Sequence, residues 1–228
     1  MLQSLIFDFD GLILDTEWPA FQSWQEIYRQ YGVEITIETW LPSIGTGATT
    51  QVFDPYDYLA ARSDQALDRE TISSWCKRRN LGLIEMQPIL PGVKELILEA
   101  KHRGMRLAVA SSSSREWVAG HLSRLGLLEY FDALTCGDEI PHTKPYPDLY
   151  LNTLEKLDVQ AIETVAFEDS LNGMLAAQRA GIFCVVVPNL LTRHLSFQKV
   201  DLQLASLAEL SLDELIEQHT RLGNGIAS

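Results

Sequence analysis

Leu5-Ile6-Phe7-Asp8-Phe9-Asp10-Gly11-Leu12-Ile13-Leu14-Asp15-Thr16 is the stretch whose reading decides the fold. A run of Leu, Ile and Phe has the character of a buried strand, and the Asp-Gly step ends it. Asp8 and Asp10 therefore sit together at the mouth of a strand near the N-terminus. Like charges that close are unfavourable without a compensating cation or a shared proton. A fold that brings them together there has a use for them.

Outward from this strand, apolar and β-branched runs recur at residues 107–110, 134–136, 165–167 and 184–187. Helical spacing lies between them. Pro91-Gly92-Val93-Lys94-Glu95-Leu96-Ile97 opens one helix, with Pro near the first turn. Residues 115–125 and 148–157 read as two more, and 170–180 as a fourth with Gly181 as its C-cap. A weak strand at 202–205 and a helix at 212–218 complete the pattern, and the last ten residues read as frayed. Strand–helix alternation of this kind implies parallel βαβ units and a doubly wound, Rossmann-like α/β core.

Residues 17–85 break the rhythm. No convincing strand occurs there, while Phe21, Trp24, Gln25, Tyr28 and Tyr31 follow helical spacing and residues 52–61 and 70–79 suggest further helices. The expected organisation is an α/β core of residues 1–16 and 86–228, with an all-helical cap inserted at 17–85. The cap aromatics read mostly as its own core, with Trp18 the first candidate to reach a substrate. Lys77, Arg78 and Arg79 read as a solvated face.

The 228 residues suit one large domain or one domain with an insert, and 46% hydrophobic with 21% charged residues is an ordinary globular composition. A formal net charge of -13 argues against nucleic acid as a partner, because phosphate backbones require a basic face. It allows a small phosphorylated metabolite at a locally positive site. The three cysteines, Cys76, Cys136 and Cys184, are widely spaced without a CxxC motif and read as reduced core residues. The chain enters its first strand without a basic leader, and no apolar run reaches about 18 residues. The expectation is a cytoplasmic protein, not membrane-bound and by default a monomer.

Four polar clusters each follow a predicted core strand. They are Asp8 with Asp10, the serines at 111–114, Lys144 in His142-Thr143-Lys144-Pro145-Tyr146-Pro147-Asp148, and Glu168-Asp169-Ser170. Ligands of open α/β sheets bind outside the carboxyl ends of the strands, so clusters on that edge converge in space. Asp8, Asp10, Glu168 and Asp169 offer the hard oxygens that Mg²⁺ takes together with water and a substrate phosphate. Lys144 offers a fixed cation, and Ser111 and Ser112 offer hydroxyl and N–H donors where a helix begins. In such a site Asp8 can attack phosphorus to form an aspartyl-phosphate, while Asp10 protonates the leaving alcohol and later deprotonates water. Singly, each signal has a plainer reading. Ser114 fits an N-cap and His142 a surface loop. Gly45-Thr46-Gly47 lacks the third glycine and the βα turn of a nucleotide loop.

In their order, Asp8-Phe9-Asp10-Gly11-Leu12-Ile13-Leu14-Asp15-Thr16, Val109-Ala110-Ser111, Lys144-Pro145 with Pro147-Asp148, and Phe167-Glu168-Asp169-Ser170 with Asn172-Gly173 resemble the motifs of the haloacid dehalogenase superfamily. The chain is most similar to its β-phosphoglucomutase-like branch, which carries a helical cap after the first motif. The resemblance implies that Asp8 is the nucleophile and Asp10 the general acid/base, its backbone carbonyl also on Mg²⁺. It implies that Ser111 and Lys144 hold the phosphate and that Lys144 steadies the nucleophile. Asp169 is then the principal acidic metal ligand on the far side, and Glu168 binds the metal directly or through water. Asp10 together with Asp169 argues against the metal-free dehalogenases of the superfamily. The phosphomutases carry a His five residues after the position of Asp15, where this chain has Ala20, and an Arg in the cap loop that grips a distal phosphate. The matching residues 43–50 contain no basic residue. Water is then the favoured phosphoryl acceptor, which makes a Mg²⁺-dependent phosphomonoester phosphatase the expected activity and a phosphomutase the alternative.

Overall fold

A computed structural model of the chain describes residues 1–44 and 53–223. The expectations for residues 45–50 of the cap loop, including Gly45-Thr46-Gly47, lie outside the described residues, as does Val52. In chain order the elements are β1 (Ser4–Phe7), α1 (Glu17–Gln30), α2 (Ile37–Trp40), α3 (Pro55–Ala60), α4 (Arg69–Glu85), α5 (Val93–His102) and β2 (Arg106–Ser111). They continue with α6 (Arg115–Arg124), β3 (Ala133–Cys136), α7 (Asp148–Leu157), β4 (Thr164–Glu168), α8 (Leu171–Arg179), β5 (Phe183–Val186), β6 (Leu202–Gln203) and α9 (Leu212–Gly223). The strands form one parallel sheet in the order β3-β2-β1-β4-β5-β6. Strand β1 lies between β2 and β4, with Phe7 opposite Val109 on one side and Phe167 on the other. The ends of β1, β2 and β4 are therefore level, which puts Asp8, Ser111 and Glu168 on one edge.

Alternate residues of the strands feed two cores. Leu5, Phe7, Leu107, Val109, Val165 and Phe167 pack on one face against α5, α6 and α9. Ile6, Ala108, Ala110, Ala166 and Cys184 pack on the other against α7 and α8. This period of two, with both faces covered, is why the strands read as continuous apolar runs. Between β1 and α5 every described helix or strand is helical, and a third cluster built on Phe21, Tyr28, Trp40, Leu59, Ile72 and Cys76 forms there. All three cysteines are buried and free.

Two local expectations need correction. Pro91 does not enter α5: Gly92 is the N-cap at φ 82, and the helix begins at Val93. A Cβ at Gly92 would meet the Ala208 nitrogen at 2.2 Å, so glycine is required by both conformation and space. The last ten residues are not uniformly frayed either, because α9 continues to Gly223. His219 is buried and meets the Phe183 ring edge-on at 5.5 Å, an anchor that a count of apolar residues overlooks. Among the described residues no helix is long and apolar enough to cross a membrane.

Candidate active site

The parallel register carries the predicted clusters to a cavity of about 230 Å³, lined by Asp8, Asp10, Ser111, Ser112, Lys144 and Asp169 among others. Asp8 ends β1, and its Oδ1 accepts from its neighbour Phe9 N at 2.7 Å. Lys144 Nζ lies 2.7 Å from Asp8 Oδ1 and 2.7 Å from Glu168 Oε1. Asp8, Lys144, Glu168 and Asp169 are respectively 7%, 4%, 0% and 2% exposed, so one lysine lies among three buried carboxyl groups. Burial, reinforced by Glu168, pushes the Asp8 carboxyl up to about 8 against the opposing pull of Lys144. Burial, Asp8 and Glu168 push Asp169 upward too. The lysine ammonium is held above its ordinary range because Asp8 and Glu168 outweigh its burial.

Asp8, Glu168 and Asp169 each offer an oxygen, and these oxygens lie within 4.8 Å of one another. Glu168 Oε1 accepts from Tyr150 as well as facing Lys144, while its Oε2 is buried with no hydrogen-bond partner among the described residues. An excess of buried negative charge, all of it hard oxygen and partly unsatisfied, fits a divalent cation of the Mg²⁺ type. Asn189 Nδ2 donates to Asp169 Oδ2 at 2.7 Å and orients it. Gly11, at φ +80, lies beneath this pair, and a Cβ there would come within 2.4 Å of Asp169 Oδ2.

The Asp10 carboxylate points away from that cluster into a ring of donors. Its Oδ1 accepts from Thr16 Oγ1 at 2.9 Å and from Trp117 Nε1 at 2.9 Å. Its Oδ2 accepts from Ser113 Oγ at 2.6 Å and from Ser111 Oγ at 3.3 Å. Ser111 Oγ also accepts from Ser113 N at 3.1 Å, and Ser112 Oγ is buried without a partner among the described residues. Ser114 caps α6 by accepting from Trp117 N at 3.3 Å, which turns the indole of that helix towards Asp10. His142 lies in an exposed loop and pairs with Asp148.

Sequence reasoning missed Trp117, Asn189 and the roles of Ser113 and Thr16. A signal existed for Trp117. It is the one tryptophan outside residues 17–85, and it stands three residues after the N-cap at a strand end. Ala20 lines the cavity, but Trp18 does not; it packs on Phe21 at 5.5 Å instead. Arg79 pairs with Glu26 at 2.8 Å and is likewise absent from the described lining. From residues 17–85, the described lining residues are Glu17, Ala20, Ser43, Ile44, Asn80 and Ile84.

This fold is that of a known class. The family model for haloacid dehalogenase-like hydrolases matches residues 5–187, and the chain belongs to that family. Over 217 residues it is 40% identical to the protein YhcW of Bacillus subtilis (strain 168), covering 95% of this chain and 97% of that one. It is 32% identical over 213 residues to hexitol phosphatase B of Escherichia coli (strain K12), covering 92% and 95%. Among solved structures, CbbY from Rhodobacter sphaeroides in complex with phosphate superimposes with a TM-score of 0.72 at 33% identity, covering 95% of this chain and 100% of that one.

Proposed function

We propose that the protein is a Mg²⁺-dependent phosphatase of small phosphorylated carbohydrates, acting through an aspartyl-phosphate on Asp8, with residues 17–85 as a cap over the site. The observation that carries this reading is the pairing of Asp8 and Lys144 at 2.7 Å beside a second, separately held carboxylate, Asp10. Similarity to hexitol phosphatase B supports the substrate class. Asp8, Asp169 and the Asp10 carbonyl would hold the metal, with Glu168 in contact or acting through water. When bound, the cation neutralises charge on the phosphoryl oxygens and on these acids. Lys144 and the Ser111 and Ser112 donors hold the phosphoryl group. Asp8 forms the new O–P bond as the bond to the substrate oxygen breaks, and Asp10 gives its proton to that oxygen. Water then attacks the aspartyl-phosphate while Asp10 recovers a proton, releasing phosphate and free Asp8.

Phosphate release from a panel of sugar and polyol phosphates, with Mg²⁺ and then with excess EDTA, tests this reading. Release is expected with Mg²⁺, loss on chelation and recovery on re-addition. Glucose 6-phosphate formed from β-glucose 1-phosphate and a bisphosphate primer without free phosphate would instead make it a mutase.

Trp117 acts as a positioning residue for Asp10. Trp117→Phe keeps the ring and removes the Nε1 donor to Asp10 Oδ1, a hydrogen bond worth about 0.5–1.5 kcal/mol. The expected loss in kcat is about tenfold on an alkyl phosphate and smaller on p-nitrophenyl phosphate, whose leaving group needs no proton. Equal losses on both substrates would remove Trp117 from the proton-transfer step.

A further inference from the structure

The roof of the cavity differs in chemistry from its floor. Its described residues, Glu17, Ala20, Ser43, Ile44, Asn80 and Ile84, include no cation. Lys144 is the one cation among the described lining residues, and Asp8 and Glu168 already engage it. Asn80 Oδ1 is buried and has no hydrogen-bond partner among the described residues. A buried acceptor without a donor is costly, so a ligand that brings a donor gains by it. Glu17 stands half-buried at the first turn of α1, and the charges acting on it are all acidic: Asp10, Asp15 and Asp8, which with its burial push it up to about 8.

We propose that Glu17 and Asn80 select the non-phosphate part of the substrate. They take hydroxyls of a neutral, polyhydroxylated chain of sugar or polyol size and exclude substrates with a second phosphate or a carboxylate. This inference rests on the phosphatase reading and narrows it. Hydroxyls can donate to both roof oxygens while Ala20, Ile44 and Ile84 cover the carbon chain. A second anion would be buried beside Asp10 and Glu17 with no cation among the described roof residues to meet it, and an unpaired buried charge is far more costly than an unpaired hydroxyl. The cavity, at about 230 Å³, is also below the roughly 300–1,000 Å³ of sites for drug-sized ligands, which suits a short chain. The chain would then differ in substrate from its relative CbbY, which has been crystallised with xylulose-(1,5)bisphosphate.

The test compares kcat/KM of the Mg²⁺-loaded full-length protein on a hexitol 6-phosphate, 2-phosphoglycolate, fructose 1,6-bisphosphate and p-nitrophenyl phosphate. The hexitol ester is expected to exceed each of the others by about tenfold or more. In Glu17→Gln and in Asn80→Leu, the ratio of hexitol 6-phosphate to p-nitrophenyl phosphate should fall by about tenfold, mainly through KM. Preference of the wild type for the bisphosphate or the phosphoglycolate overturns the inference without any variant. So does an unchanged ratio in both folded variants. Turnover of none of the four esters would instead overturn the phosphatase reading itself, a separate result from turnover with the wrong preference.

Discussion

Asp8→Asn is expected to lower phosphate release by at least about 10⁴-fold and leave the fold intact. Losses of this order follow when a nucleophile is removed from a site whose other groups act only with it. Asparagine has the shape of aspartate, and its carbonyl oxygen can still accept from Phe9 N and face Lys144 Nζ, contacts that are both 2.7 Å in the wild type. The substitution also removes one of the mutually repelling acids around Lys144. Thermal unfolding should therefore occur at or above the wild-type temperature at pH 8. Phosphate release and the unfolding midpoint, measured on the same preparation, check both halves. Turnover at the wild-type rate would show that Asp8 is not the nucleophile.

Lys144→Met has the second large effect, and it falls on activity and stability together. The ammonium offsets the charge of Asp8 and Glu168 at 2.7 Å each, and all three side chains are buried. Breaking a buried pair from one side costs about 3–5 kcal/mol, because the remaining charge has no partner. Loss of the donor to the phosphoryl group costs kcat a further factor of about 10²–10³. The stability deficit should depend on pH, with a definite sign. Asp8 and Asp169 have folded pKa values raised above their unfolded ones, Asp8 to about 8. The folded protein thus binds protons more tightly, and the associated stability is lost as pH rises through the folded value. Lys144 stays charged throughout this range. In the metal-free protein the unfolding midpoint should fall between pH 6 and pH 9, and Mg²⁺ should restore more of it at pH 9. In Lys144→Met the fall should steepen. Denaturant or thermal unfolding at a series of pH values measures this, and a midpoint that rises with pH would reverse the assignment.

Sequence and structure contributed different parts of this picture. That Asp8, Ser111, Lys144 and Asp169 share one edge of a sheet was legible beforehand. Strands alternate side chains with a period of two, parallel crossovers force successive strand ends to the same side, and each cluster directly follows an apolar run. The boundaries of β2 and β4 were predicted to within a residue or two for the same reason. The helical character of residues 17–85 was legible too, through the spacing of Phe21, Trp24 and Tyr28.

Which way a helical residue faces could not be read in this manner. Trp18, the first candidate among aromatics read mostly as core, turns to Phe21, while its neighbour Glu17 lines the cavity. Arg79 turns to Glu26, while Asn80 faces the site. One residue along a helix is a rotation of about 100°, and the packing of α1 against α4 sets the phase. Trp117 and Asn189 reach Asp10 and Asp169 from far along the chain, 107 and 20 residues away. By itself, then, the sequence determined the α/β core, the strand edge on which chemistry occurs and the acids and lysine that gather there, because strand periodicity and parallel topology are local rules. Only the tertiary structure decided which oxygens Lys144 bridges, what holds Asp10 and which residues of 17–85 line the cavity, because those depend on helix phase and on contacts between segments distant in the chain.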